Sequence, residues 1–163
     1  MDAFTKHENT IVDVLKAPVD VSSFGADAWH GFTALWDTGA QRSVVTSDVA
    51  RILGLVPISN AVSRGVNAVK VVPVYLISIR LPGGVLFNLQ VTEGDSGGGW
   101  DVLIGMDVIS HGDFCVSNFD GKTAFSFRIP SAEKTDYVQI INESSAARND
   151  SLLKRVIKFF SKK

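Results

Sequence analysis

Cysteine is almost absent from this chain: Cys115 is the single one in 163 residues. One thiol cannot close a disulfide within the chain, which excludes a small disulfide-stapled scaffold and suits a reducing compartment. Beside Phe114 it reads as a buried apolar filler. Long apolar runs are missing as well. The longest, Val69 to Leu81, is interrupted by Lys70, Pro73 and Arg80, and it is too short to span a bilayer as a helix. Met1 to Glu8 lacks the apolar segment of a secretory signal, so a soluble, cytoplasmic protein is expected. Histidine is scarce: His7, His30 and His111 are widely spaced with no metal-ligand pattern, so neither a metal nor another cofactor is expected. Cys115 and His111 do not make a nucleophile–base pair at this level, since Gly112 interrupts any helix between them.

A basic excess is lacking from most of the chain. Residues 148–163 hold six Lys or Arg against one Asp, and with a net charge of −1 overall the preceding 147 residues stand at −6. Their basic residues are scattered and outnumbered, which argues against a nucleic-acid partner.

What is present is short β-type segments. Ile11 to Leu15, Gly31 to Trp36, Ser43 to Thr46, Val71 to Leu81, Val85 to Val91, Val102 to Ile104, Phe114 to Ser117 and Thr123 to Ile129 are apolar or β-branched runs between turn signals. Leu81-Pro82-Gly83-Gly84-Val85 and Asn118-Phe119-Asp120-Gly121-Lys122 supply the positive φ of tight hairpins. A mostly β, antiparallel domain is predicted. One short helix interrupts it, with Thr46 or Ser47 as cap, Asp48 in the first turn and Gly54 just past the end. A single further helical turn is expected after Gly105, and Glu93 to Gly99 reads as a surface loop.

At 45% hydrophobic content the chain can bury one good core, and two full lobes do not fit. The expected organisation is a polar N-terminal extension over 1–9, a single-lobe domain over 10–130, and a linker with a basic C-terminal helix over 131–163. In helical geometry Leu152, Leu153, Val156, Ile157 and Phe160 share one face, with Lys154, Arg155, Lys158 and Lys162 mostly opposite. Such a helix can pack on its own domain or a second copy, bind a partner, or touch an anionic membrane surface through residues 152–163.

Leu35-Trp36-Asp37-Thr38-Gly39-Ala40 places one carboxylate at a turn between two apolar strands. Hydrolysis of a peptide bond without metal or covalent nucleophile needs one group that takes a proton from water and another that gives one to the carbonyl. Two adjacent carboxylates do both, because they cannot both ionise cheaply and so share a proton. Thr38 can hydrogen-bond across to a partner loop, and Gly39 leaves room for a tight turn. In the second half, Val102-Leu103-Ile104-Gly105 would let a strand pass close beneath that turn, since Gly105 has no Cβ to collide with it.

These parts, in this order and spacing, resemble the retropepsins, the single-lobe aspartic proteases of retroviral type, and more closely their bacterial relatives. The resemblance covers roughly residues 10–130. It implies a closed β-barrel-like lobe with one or two short helices, and Asp37 as the catalytic aspartate. It also implies that Thr38 joins two catalytic loops and that Gly39, Ala40, Gln41 and Arg42 line the substrate groove. Leu103, Ile104 and Gly105 would support the catalytic loop. A flap between Asn60 and Val74 would present Gly65, Val66, Asn67 and Ala68 to substrate. Retroviral flaps carry more glycine there, and many retroviral enzymes have Arg after the second-half glycine where this chain has Met106-Asp107. With one such aspartate per chain, catalysis implies a homodimer acting on a peptide or protein. The rival reading keeps the fold but uses it for dimerisation or peptide binding, tethered by the basic helix.

Overall fold

The computed structural model describes residues 2–64 and 69–145. The chain divides into a unit over Met1–Ala132 and a second over Glu133–Lys163. The first unit is built from β1 (Asp2–His7), β2 (Leu15–Ser23), β3 (His30–Trp36), β4 (Val44–Thr46), α1 (Ser47–Ile52), β5 (Ser59–Arg64) and β6 (Val69–Arg80). β7 (Leu86–Gly94), β8 (Val102–Ile104), α2 (Met106–Ile109), β9 (Asp113–Ser117) and β10 (Ala124–Ile129) complete it.

Seven strands form one sheet in the order β2-β3-β8-β4-β7-β6-β5, and β2 also pairs with β6 through Asp20–Ser23 and Ile77–Arg80. That extra pairing closes the sheet on itself, as the expected barrel-like lobe requires. The interior follows from strand alternation: Ala17, Val19 and Val21 of β2 face in with Tyr75, Ile77 and Ile79 of β6. All three residues of β8 are buried, because it runs parallel to β3 on one side and antiparallel to β4 on the other.

The turns behave as their sequences predict. Gly83 and Gly84 take positive φ between β6 and β7, and Asp120 and Gly121 do so between β9 and β10. Thr46 caps α1 by accepting from the Val49 N–H, and Gly54 follows its end at φ +59°. β7 runs on to Gly94, two residues into the segment expected as loop. Gly94 pairs with Thr46 there, and a Cβ on it would stand 2.6 Å from Val44 Cγ1.

Cys115, expected as a buried filler, is exposed on β9, and three regions depart from the expected pattern. Residues 2–7, read as part of a polar extension, form β1 and pair antiparallel with β10 in a three-stranded sheet ordered β1-β10-β9. Charged and polar side chains alternate with Phe4, and that one ring is enough to make the segment a strand of the core. Residues 11–14, read with Leu15 as a strand, are instead a connection with Ile11 and Val14 exposed, and the strand runs from Leu15 to Ser23. Buried Thr123 organises it: its carbonyl accepts from Glu8 N–H (2.8 Å), its N–H donates to Thr10 O (3.1 Å), and its hydroxyl accepts from Val12 N–H (3.1 Å). In the second unit, residues 137–145, read as a polar connection, are helical. Asp136 caps them by accepting from the Val138 and Gln139 N–H groups. Those bonds, Gln139's first and then the Lys134 ammonium, hold its carboxyl below the usual carboxylate range. Residues 152–163 of the expected basic helix lie outside the described residues. Among those described, no helix is long and apolar enough to cross a membrane.

Candidate active site

Trp36 ends β3 and is only 4% exposed. Its ring lies among four phenylalanines: stacked on Phe114 at 5.5 Å, and within 5.2–6.0 Å of Phe127, Phe4 and Phe125. Its indole Nε1 has no hydrogen-bond partner, so the aromatic packing has to outweigh that lost bond. The ring anchors the end of β3 against the three-stranded sheet. The next residue, Asp37, stands where the strand leaves the core.

The backbone of Asp37 is held from behind. Trp36 pairs with Ile104 in the parallel β3–β8 ladder, and Asp37 N–H extends it by donating to Ile104 O at 3.0 Å. Ala40 N–H then donates to Asp37 O (3.3 Å), and Gly39 N–H donates to Asp37 Oδ1 (2.8 Å). A Cβ on Gly39 would sit 3.1 Å from that oxygen, so glycine leaves the carboxylate space. Asp37 is half-buried, while Thr38, Gly39, Gln41 and Arg42 are exposed and Ala40 is intermediate. The aspartate thus lies at a solvent-facing lip on a rigid base.

A second Asp-x-Gly, at Asp95-Ser96-Gly97, shows what the tripeptide alone can do. Gly97 N–H donates to Asp95 Oδ1 at 2.9 Å, nearly the same local bond as at Asp37. Asp95, however, is exposed and flanked by Gly94 and Gly97 to Gly99. The local turn belongs to the residue types; the strand and aromatic base behind Asp37 belong to the fold.

Of the three residues expected behind the Asp37 loop, Leu103 and Ile104 are buried, and a Cβ on Gly105 would stand 2.7 Å from Arg42 C, 2.8 Å from Arg42 O and 3.0 Å from Ala40 O. Met106 N–H donates to Ala40 O at 2.8 Å. Two residues escaped the sequence reading: Ser43 and Asp107. Ser43 N–H and Oγ–H donate to the two carboxylate oxygens of Asp107 at 2.8 and 2.7 Å, and Ser43 Oγ accepts from Gly105 N–H at 3.1 Å. A serine six residues after the aspartate and an Asp two after the glycine were the available signal, but only the fold brings them together.

The β5–β6 hairpin occupies the place expected for a flap, with Ser59 to Arg64 paired to Val74 to Val69. Its expected tip, Gly65, Val66, Asn67 and Ala68, lies outside the described residues. One face of the hairpin, with Lys70 and Val72, borders a cavity of about 720 Å³ that Asp48, Glu93, Trp100 and Asp101 also line. None of residues 37–42 lines this cavity, so the space beside the hairpin and the aspartate's lip are separate features of one copy. Buried Tyr75 donates to Glu93 at 2.7 Å. Burial, then that bond and the Glu93 charge, push the phenol up to about 12. Among the described residues no group of His, Cys, Asp and Glu is arranged to hold a metal ion.

A retropepsin-like aspartic protease from Rickettsia conorii superposes with a TM-score of 0.50 at 14% identity, over 77% of this chain and 92% of that one. The EIAV protease in complex with an inhibitor gives 0.46 at 17% identity, over 60% and 86%. A foamy viral protease-reverse transcriptase gives 0.45 at 23% identity over 60% of this chain, which spans 12% of that longer polypeptide. No curated protein matches the chain by sequence. The fold is that of the retropepsin-like aspartic proteases. Residues 29–111, which include both Asp37 and Gly105, match the family described as gag-polyprotein putative aspartyl protease, and the chain belongs to that family.

Proposed function

We propose that this chain is an aspartic endopeptidase that works as a homodimer, with Asp37 of each copy facing the other across a two-fold axis. One observation carries the reading: a single carboxylate stands at a solvent-facing lip, its backbone fixed by Ile104 and its oxygen by Gly39. This rigid support suits one half of a dyad, and among the described residues no second carboxylate stands on the same base. β9, whose Phe114 stacks on Trp36 directly before Asp37, is an end strand of its sheet, which supports approach of a second copy from that side.

In the dimer the two carboxylates share one proton, since like charges at hydrogen-bond distance cannot both ionise cheaply. The ionised one takes a proton from water as the water oxygen attacks the peptide carbonyl carbon. The protonated one gives its proton to the carbonyl oxygen; the carboxyl that took the water proton then passes it to the amide nitrogen while its partner takes one back from a hydroxyl of the tetrahedral diol, and the C–N bond breaks to release acid and amine. Thr38 joins the two loops, Gly39 to Arg42 border the extended peptide, and the β5–β6 hairpin with Gly65 to Ala68 covers it. The reaction draws on no cofactor.

The test is cleavage of a peptide library between about pH 4 and pH 7, comparing the full chain with Asp37→Asn. Cleavage by the wild type and its loss in the variant is the expected result. A wild type that binds peptides at high concentration yet cuts none would replace the enzyme with a binding module of the same fold.

A further inference from the structure

The loop that carries Asp37 has few side-chain anchors of its own, because Thr38, Gly39, Gln41 and Arg42 are all exposed. Its entry is fixed by Asp37 N–H on Ile104 O. Its exit is fixed elsewhere. Ser43 is fully buried, and both of its polar groups are directed at Asp107, one to each carboxylate oxygen. The Ser43 hydroxyl oxygen then receives Gly105 N–H, while Met106 N–H takes Ala40 O. Residues 40–43 and 105–107 are therefore one hydrogen-bonded unit, although Ser43 and Asp107 are 64 positions apart.

Chemistry makes the pair hard to replace. An ionised carboxylate offers acceptors on both oxygens, matching the two donors of Ser43, whereas an asparagine amide would turn an NH2 group toward one of them. Asp107 lies in the first turn of α2, yet its carboxylate takes these Ser43 donors, and the Gly105 cap contributes no side-chain bond. The carboxylate is thus committed to the loop across from it.

We infer that Ser43 and Asp107 are positioning residues: their clasp sets where Asp37 stands relative to the Asp37 of a second copy. The inference rests on the dyad reading proposed above. Releasing the clasp lets the loop exit drift while the ladder behind Asp37 stays intact. Displacement of a reacting group by about 1 Å costs about 100-fold in rate. It also weakens the coupling between the two carboxylates, so their two apparent titrations move together.

The test uses the full chain as Ser43→Ala, Asp107→Asn and the Ser43→Ala/Asp107→Asn double variant, with kcat, KM and the pH–rate profile measured on one peptide substrate. Expected are a fall in kcat of about 100-fold with KM within about two-fold, and a narrowed pH bell. The double variant should be no worse than either single, because they break the same unit. Folded single variants that keep the wild-type kcat and pH profile overturn the inference, as do losses that multiply in the double. If these variants fail to fold, hydrogen exchange on the wild type decides: Gly105 and Ser43 amides protected like the Ile104 amide uphold the clasp, and free exchange removes it. A wild type that cleaves nothing overturns the dyad reading and the positioning role together. Cleavage unaltered by the variants overturns the positioning role alone.

Discussion

Gly105 has no side chain because three backbone atoms of the Asp37 loop stand where its Cβ would be, two of them closer than 3.0 Å. Backbone cannot step aside as a flexible side chain can. Gly105→Ala is therefore expected to cost about 1–3 kcal/mol and, for a domain this size, to lower Tm by several degrees, read by calorimetry. It should also reduce cleavage, since the displaced atoms belong to the catalytic loop. Tyr75 makes a prediction of another kind. Its phenol is pushed up to about 12, first by burial and then by the bond and charge of Glu93. A folded-state pKa above the unfolded one means the stabilisation is fully present below about pH 10 and is lost as pH rises toward 12. Ultraviolet titration should show a tyrosine ionising near pH 12, absent in Tyr75→Phe. A step nearer pH 10 for that residue would mean the Glu93 contact is not made in solution.

Elements of this fold act on the site through the aromatic cluster beneath Asp37. β1 contributes Phe4, which touches Trp36 at 5.5 Å and meets Phe125 edge-on at 5.9 Å. Phe4 is only partly buried, so Phe4→Ala is placed below the range for a full core phenylalanine, at about 2 kcal/mol. Thermal melting should show that loss, and emission from Trp36 should shift to the red as water reaches the ring. At α1 the cap bond from Val49 N–H to Thr46 Oγ1 is long at 3.4 Å. Thr46→Ala should cost about 0.5–1 kcal/mol, the low end for a lost cap. Much of this element layer is legible from residue order. Thr46, Asp48 and Gly54 mark α1, paired glycines mark the β6–β7 turn, and Val102 to Gly105 reads as a strand under a loop. β1 is not legible, because one phenylalanine among polar residues has the pattern of an extension until β10 supplies its partner edge.

At the scale of the whole molecule, one Asp37 per chain ties the proposed activity to association. Rate per subunit should rise with protein concentration and level off once dimers dominate. Mixing wild type with an equal amount of Asp37→Asn should leave about one quarter of the dimers with two aspartates under random exchange, and activity should fall in proportion. Activity that falls only by half, as simple dilution requires, would mean each copy works alone. The Ser43–Asp107 clasp and the Trp36 base belong to this scale too, since both fix Asp37 with respect to its own chain before a second copy arrives.

Asp37, Thr38 and Gly39, the second-half Val102 to Gly105 and the mostly β character are properties of the linear sequence. Residue type and spacing decide them, because turn chemistry and strand alternation act locally. Two Asp-x-Gly turns in this chain make the same local hydrogen bond, and nothing in either tripeptide says which one is backed by a strand. Tertiary structure decides that. It sets Asp37 on Ile104 and four phenylalanines and leaves Asp95 in solvent. It also closes β2 onto β6, recruits residues 2–7 as a strand, and joins Ser43 to Asp107 across 64 positions. Those are long-range pairings whose free energy exists only once both partners are in place.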